Sequence, residues 1–213
     1  MRVHRLIVLG LLSAGALLAQ KWEVGAAGGG SFYTSQTFVG SVSNADASFT
    51  TAIAASVWLG NDSGRYLGGE IRYDYEASNP ELSANGANET MAGQTHAIHY
   101  DFLWHFAPRS SRVRPFLAAG AGVKVYRGTG PALVYQGPIE SIGLLTETQD
   151  LKPMVSLGAG IKFALTDSFQ LRIEMHDYLT PFPSNVITPN TGTKISGAWL
   201  QDFVPMLGMS YTF

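Results

Sequence analysis

The stretch Ile98-His99-Tyr100-Asp101-Phe102-Leu103-Trp104-His105-Phe106 alternates with a period of two. In an extended chain Ile98, Tyr100, Phe102, Trp104 and Phe106 share one face, and His99, Asp101 and His105 share the other. A soluble barrel would turn its charges outward and enclose its apolar face. Here the apolar face is continuous and the charged face is sparse. In the segments that follow, the charged face is also rich in glycine, as a narrow interior demands. The pattern therefore turns the apolar face to lipid and the titratable groups inward.

The same two-faced pattern recurs along the chain. In 66–75, Leu67, Ile71 and Tyr73 oppose Glu70, Arg72 and Asp74. In 115–127, Leu117, Ala119, Ala121, Val123 and Val125 oppose Gly120, Gly122 and Lys124. In 152–165, Val155, Leu157, Ala159, Ile161 and Phe163 oppose Ser156, Gly158, Gly160 and Lys162. In 169–178, Leu171, Ile173 and Met175 oppose Gln170, Arg172, Glu174 and His176. With 22–33, 47–59, 94–106 and 199–213 these make eight predicted strands. Each is long enough to cross a bilayer at a tilt, which takes about 9–11 residues.

The connections alternate strictly between short and long. Asn61-Asp62-Ser63-Gly64, 107–114 and Thr166-Asp167-Ser168 are short; 34–46, 76–93, 128–151 and 179–198 are long and rich in Asn, Ser, Thr, Gly and Pro. Neighbour pairing gathers the short turns at one end and the long loops at the other. The expectation is an all-β, eight-stranded antiparallel transmembrane β-barrel of up-and-down topology. Its closure leaves no backbone group unpaired in lipid. Aromatic residues are expected to form a girdle at each interface. Trp22, Trp58, Tyr66, Trp104, Phe106, Phe163, Phe169, Tyr211 and Phe213 fall at the short-turn end. Tyr33, Phe49, Tyr75, Tyr126, Tyr178 and Trp199 fall at the long-loop end.

Composition narrows the function classes. Of 213 residues only 14% are charged, against roughly 25% in soluble domains. The net charge of −2 leaves no basic excess to hold nucleic acid. The lack of cysteine excludes disulfides, thiolate metal sites, cysteine nucleophiles and a lipoprotein anchor. Arg2 and Arg5 precede an apolar run at 6–18 that ends in small residues at Ala19, the form of a secretory signal peptide. Two parts are expected: the leader at 1–19 and the barrel at 20–213. Ala14-Gly15-Ala16 offers an earlier cleavage site.

The chain closes on Phe203-Val204-Pro205-Met206-Leu207-Gly208-Met209-Ser210-Tyr211-Thr212-Phe213. Leu207, Met209, Tyr211 and Phe213 share one face and the last residue is Phe. This end resembles the terminal-strand signal read by the barrel assembly machinery. With the leader and the eight strands, the chain resembles small eight-stranded outer-membrane barrels of the OmpA-like and OmpX-like type. The resemblance implies a Gram-negative outer membrane, termini in the periplasm, outward-facing loops, and outer-membrane lipid and the assembly machinery as partners. Pro205 departs from the pattern and points to a bulge or weak pairing with the first strand.

The inward residues form the candidate site: Glu70, Arg72, Asp74, His99, Asp101, Lys124, Lys162, Arg172, Glu174 and His176. Four acids face four bases, a balance that suits a self-satisfied ionic plug, because unpaired buried charge is costly. Eight strands enclose an interior barely wider than its own side chains. A plugged barrel with a structural or surface-interaction role is the leading expectation, its long loops meeting an extracellular ligand or surface. A narrow channel through the same charges is the first alternative. A lipid-modifying enzyme at the outer rim, built on Glu174, His176, Asp177 and Ser184, is the second, though no His and Ser pair on one strand face. Cofactors and metals are not expected: His96 and His99 have opposite parity, and Gly25–Gly30 lacks the helix and lysine of a phosphate loop. The apolar islands Leu133-Val134-Tyr135 and 142–145 are expected to prolong the flanking strands as a hairpin. N-terminal sequencing of membrane-extracted protein should begin at Gln20. A start at Leu17 would instead mark the earlier site.

Overall fold

A computed structural model describes residues 21–41, 43–62, 64–131, 139 and 141–213. The expected leader at 1–19 and the island Leu133-Val134-Tyr135 lie outside them. The described strands run in order β1 (Lys21–Tyr33), β2 (Gln36–Val39), β3 (Asn44–Phe49), β4 (Ala52–Asp62) and β5 (Leu67–Glu76). Then come β6 (Pro80–Ala84), β7 (Ala87–Thr90), β8 (Gly93–His105), β9 (Val113–Gly128) and β10 (Gly143–Leu145). The last are β11 (Gln149–Ala164), β12 (Phe169–Pro181), β13 (Ile187–Pro189), β14 (Lys194–Ile195) and β15 (Trp199–Thr212).

Eight of these close a barrel in the order β1-β15-β12-β11-β9-β8-β5-β4, every pair antiparallel. The seam is sealed by the chain ends: the Trp22 amide donates to the Phe213 carbonyl at 3.0 Å, and the Phe213 amide returns the bond at 2.9 Å. Pro205 makes no bulge. The β1–β15 register runs to Gly29↔Met206 and resumes unshifted at Phe32↔Phe203, so only the ladder opposite the proline is broken.

The faces divide by environment. Ile53, Leu67, Ile71, Phe102, Trp104 and Leu207 each expose more than half of their surface. In a water-soluble fold such a belt would be an aggregation surface; against hydrocarbon it is the solvated face. The inward face is kept narrow by glycine. A Cβ on Gly120 or Gly122 of β9 would collide with Asp101 or His99 of β8, so the two glycines make the room those side chains occupy.

The long-loop end is a folded cap. The segment 47–59 is not one strand. Ala45, Ala47 and Phe49 of β3 are buried at odd positions, and Ala54, Ser56 and Trp58 of β4 at even ones. One continuous strand cannot bury both sets, because its faces alternate. The chain breaks between them, where the Thr50 amide donates to the Asn79 carbonyl at 2.8 Å and the Asn79 amide donates to Thr50 Oγ1 at 3.1 Å. β3 then joins a five-stranded sheet of order β14-β2-β3-β6-β7. Asn85 and Gly86 close the β6–β7 hairpin with φ of 52° and 81°, the backbone a two-residue primed turn requires.

The island at 142–145 does not prolong the barrel hairpin. Its residues Gly143–Leu145 pair with β13 of the following loop, and Ile142 and Leu145 are buried with Phe38, Phe49, Leu82 and Phe182 in a cap core. Burying these side chains is worth more than holding them in water on a protruding hairpin, at about 25 cal/mol per Å².

The girdles also need correction. Trp58, Phe49, Tyr126 and Tyr178 are buried, inside the lumen or the cap, and do not touch the interfaces. Trp104, Phe106, Phe169, Tyr211 and Phe213 are exposed at the short-turn end, and Trp199 at the other. Ile71→Arg places a charge mid-strand on the lipid face. It should cost about 2–4 kcal/mol if that depth is the bilayer midplane, read from urea unfolding in phosphatidylcholine vesicles.

Candidate functional site

The lumen is filled by side chains that the strand pleat turns inward, in layers. At its centre Arg72 of β5 and Arg172 of β12 face Glu70 and Glu174. Arg72 Nη2 donates to Glu70 Oε1 at 2.9 Å and Nη1 to Glu174 Oε1 at 2.7 Å. Arg172 Nη1 donates to Glu70 Oε2 at 2.7 Å, and its Nε stands 2.5 Å from Glu174 Oε2. Each carboxylate thus serves both guanidinium forks, a geometry lysine could not reproduce. The indole of Trp58 lies beside both cations, 4.8 Å from each guanidinium carbon, adding a cation–π contact in a dry setting. All four charged side chains are at most 1% exposed.

Towards the short turns Lys162 Nζ meets Glu23 Oε2 at 2.6 Å, and Trp58 Nε1 donates to Glu23 Oε1 at 3.3 Å. Towards the cap His99 bridges two acids, Nε2 to Asp74 Oδ2 at 2.9 Å and Nδ1 to Asp101 Oδ1 at 3.0 Å. Both contacts are met when the ring carries two N–H groups or one acid keeps its proton. His176 Nε2 lies 3.3 Å from Glu174, and the Tyr178 hydroxyl donates to Asp74 at 3.1 Å. Above them Lys124 Nζ joins Glu76 at 2.9 Å and Asp202 at 2.6 Å, among the rings of Tyr33, Tyr126 and Tyr178. Thr95 and Tyr33 donate to Glu76, and Ser31 donates to Asp202 at 2.8 Å.

All ten inward residues named from the sequence lie in this stack. The balance of four acids and four bases does not hold. Glu23, Glu76 and Asp202 are also buried and paired inside, so the lumen is richer in acid than in base. Glu76 falls in a segment whose composition reads as loop, the glycine-rich first strand lacks the alternation that would assign its faces, and the last strand alternates clearly only over 207–213. Parity carried one step further, from Asp74 to Glu76 and from Leu207 outward to Asp202 inward, would have found two of the three.

The proposed rim cluster is dispersed. Glu174 and His176 are buried mid-lumen. Asp177 is on the outer wall, accepting from Gln201 Nε2 at 3.2 Å, and Ser184 belongs to the cap. A serine does lie beside a histidine, but across strands: Ser156 Oγ of β11 is 3.5 Å from His176 Nδ1. The hydroxyl also reaches Asp101 at 3.3 Å, and all three residues are fully buried. A nucleophile needs a substrate path as well as a base; here the hydroxyl serves as one more link in the stack. His96 lies outside the barrel against the Tyr73 hydroxyl at 2.7 Å, away from His99. Among the described residues no group of three His, Asp or Glu is placed to hold a metal ion. Leu207, Met209 and Tyr211 line the outer wall of β15 and Phe213 follows its end, each more than 40% exposed.

The outer membrane protein beta-barrel domain model matches residues 6–193. Among solved structures the chain is similar to Neisserial surface protein A, with a TM-score of 0.53 and 12% identity over 91% of this chain and 97% of that one. It is similar to the outer membrane protein OprG from Pseudomonas aeruginosa, with a TM-score of 0.52 and 10% identity over 90% and 95%. It is also similar to a major outer membrane protein from Thermus thermophilus, with a TM-score of 0.51 and 14% identity over 91% and 99%. No curated protein sequence matches it. At such identities the likeness is one of fold. Arg72→Ala would leave Glu70 and Glu174 short of a buried partner and should destabilise the barrel by about 3–5 kcal/mol, measured as the urea midpoint of the refolded protein. An unchanged midpoint would mean that water fills the lumen.

Proposed function

This chain belongs to the outer membrane protein beta-barrel domain family, and on that premise we propose that it is a non-catalytic, plugged barrel that carries a folded recognition cap outside the cell. It resides in the outer membrane with its long loops outward. The observation that supports the reading is the continuity of the stack. Paired side chains follow one another from Glu23 near the short turns to Lys124 below the cap, and the apolar core of the cap lies beyond them. An ion would have to break a bidentate pair and lose its own hydration in a space already occupied by protein.

The cap supports the second half of the proposal. It is a packed unit of two sheets with its own core, so its outer surface has a defined shape to offer a ligand. The cap carries Asp46, Glu81 and Glu89, with Lys194 paired across from the exposed Val39. Steering by such a surface favours a ligand with positive charge at its edge. The refolded mature protein in planar bilayers should give no steady conductance. A stable ohmic current from single insertions would overturn the plugged reading.

A further inference from the structure

The short-turn end holds a feature that the lumen and the cap do not use. The three short turns surround an open bowl of about 860 Å³. Its wall includes Arg65 of the β4–β5 turn, Arg109 and Arg112 of the β8–β9 turn, and Gln170 and Thr212. The acids here are Asp62 and Asp167. Asp62 is already taken: its Oδ2 accepts from Arg114 Nη1 at 2.6 Å, and its carbonyl accepts from Arg109 Nη2. Arg65 and Arg112 are exposed. Arg109 Nε lies 3.7 Å from Asp62 Oδ2, while about a third of its side chain stays exposed. The exposed Arg65 and Arg112, with the part-exposed Arg109 between them, suit an oxyanion, to which arginine presents paired N–H groups.

A second cavity, of about 520 Å³, lies on the outer wall at the same end and is lined by Gly64, Arg65, Tyr66, Leu67 and Trp104. Its lining is apolar apart from Arg65, whose guanidinium sits 5.6 Å from the Tyr66 ring centre. Leu67 and Trp104 belong to the lipid-facing belt and are about 60% exposed. Arg65 is therefore shared by a cationic bowl and an apolar groove. A soluble anion would fill the first and leave the second. A hydrocarbon chain would do the reverse. One molecule with an anionic head and an acyl tail satisfies both, and the periplasmic leaflet supplies it.

We propose that this juxtaposition is a binding site for an anionic phospholipid of the periplasmic leaflet, with its phosphate held by Arg65 and Arg109 and one acyl chain laid along Leu67 and Trp104. Basic side chains at this depth reach the headgroup layer while their stems stay in the apolar zone.

The test is native mass spectrometry of the mature barrel, released from neutral detergent after incubation with equal amounts of phosphatidylglycerol and phosphatidylcholine of matched chains. The phosphate is common to both lipids, so the preference rests on the choline cation that the arginine-lined bowl repels, and the wild type should retain phosphatidylglycerol about tenfold over phosphatidylcholine. Arg65→Gln should abolish the preference and Arg65→Lys should keep part of it. The exposed turn position leaves folding intact, checked by altered gel migration of the unboiled sample. Equal retention by the wild type would overturn the proposal, and so would a preference that survives in Arg65→Gln. Inorganic pyrophosphate supplies the last arm. Binding much weaker than that of phosphatidylglycerol supports a lipid, and binding as tight would assign the bowl to soluble oxyanions instead.

Discussion

A peptide group inside hydrocarbon has no water to bond, and each one left unpaired costs several kcal/mol. Sheet closure follows from this, and most of the molecule follows from closure. Once β1 meets β15, every barrel strand has one face in lipid and one in a lumen only wide enough for side chains. Within the hydrocarbon the outer face takes Ile71, Phe102 or Leu207, and a charge such as Asp177 falls towards the long-loop end, hydrogen-bonded to Gln201. All remaining polarity of the strands is driven into a space without bulk water. The reciprocal bonds between Trp22 and Phe213 matter for that reason beyond their own strength. Without them two strand edges would lie bare in the membrane.

The lumen then has to satisfy itself. Arg72 and Arg172 together offer enough donors for Glu70 and Glu174, and Trp58 covers the face of both cations where no carboxylate reaches. The excess of acid contributed by Glu23, Glu76 and Asp202 is offset locally. Glu23 takes Lys162 and the Trp58 N–H, while Glu76 and Asp202 divide Lys124 and draw on Tyr33, Thr95 and Ser31. The hydroxyl groups thus do what a further cation would have done. Removing any member exposes another to the low dielectric, which is why such stacks are intolerant of single truncations.

The barrel was legible in the sequence because its faces meet two different media. Lipid and lumen write opposite residues at alternate positions over ten or more residues, and Ile98–Phe106 shows it without help. The cap was not legible, for two physical reasons. Its strands are two to six residues long, too short for alternation to separate from chance. Their partners are also remote in the chain: β10 pairs with β13 across the whole of β11 and β12, and β14 with β2 across most of the molecule. Non-local pairing leaves no trace in a local pattern. One signal was available, Asn85-Gly86, which marks a tight hairpin inside a supposed loop. The parity change between Phe49 and Ala54 was another, and it also explains the misplacement of Trp58. Within the lumen, residues were found inside the expected bounds of the clearly alternating strands and missed past such a bound, as Glu76, or where parity was not carried through, as Glu23 and Asp202.

A buried ion-pair stack is not in itself the most stable filling, since apolar side chains of similar volume often do as well or better. The alternative has a cost that the folded state hides. The lipid-facing half of each strand is necessarily apolar. Were the inward half apolar too, segments such as 94–106 and 169–178 would become unbroken apolar runs with strong β-propensity. Those are aggregation-prone while the chain is still in water on its way to the membrane. Placing His99, Asp101, Arg172 and Glu174 at alternate positions keeps each segment interrupted by charge until closure. Closure then brings each charge to its partner, with Arg172 reaching Glu70 at 2.7 Å and His99 reaching Asp101 at 3.0 Å. The same side chains that hold the unfolded strands apart in water become the packing of the finished lumen.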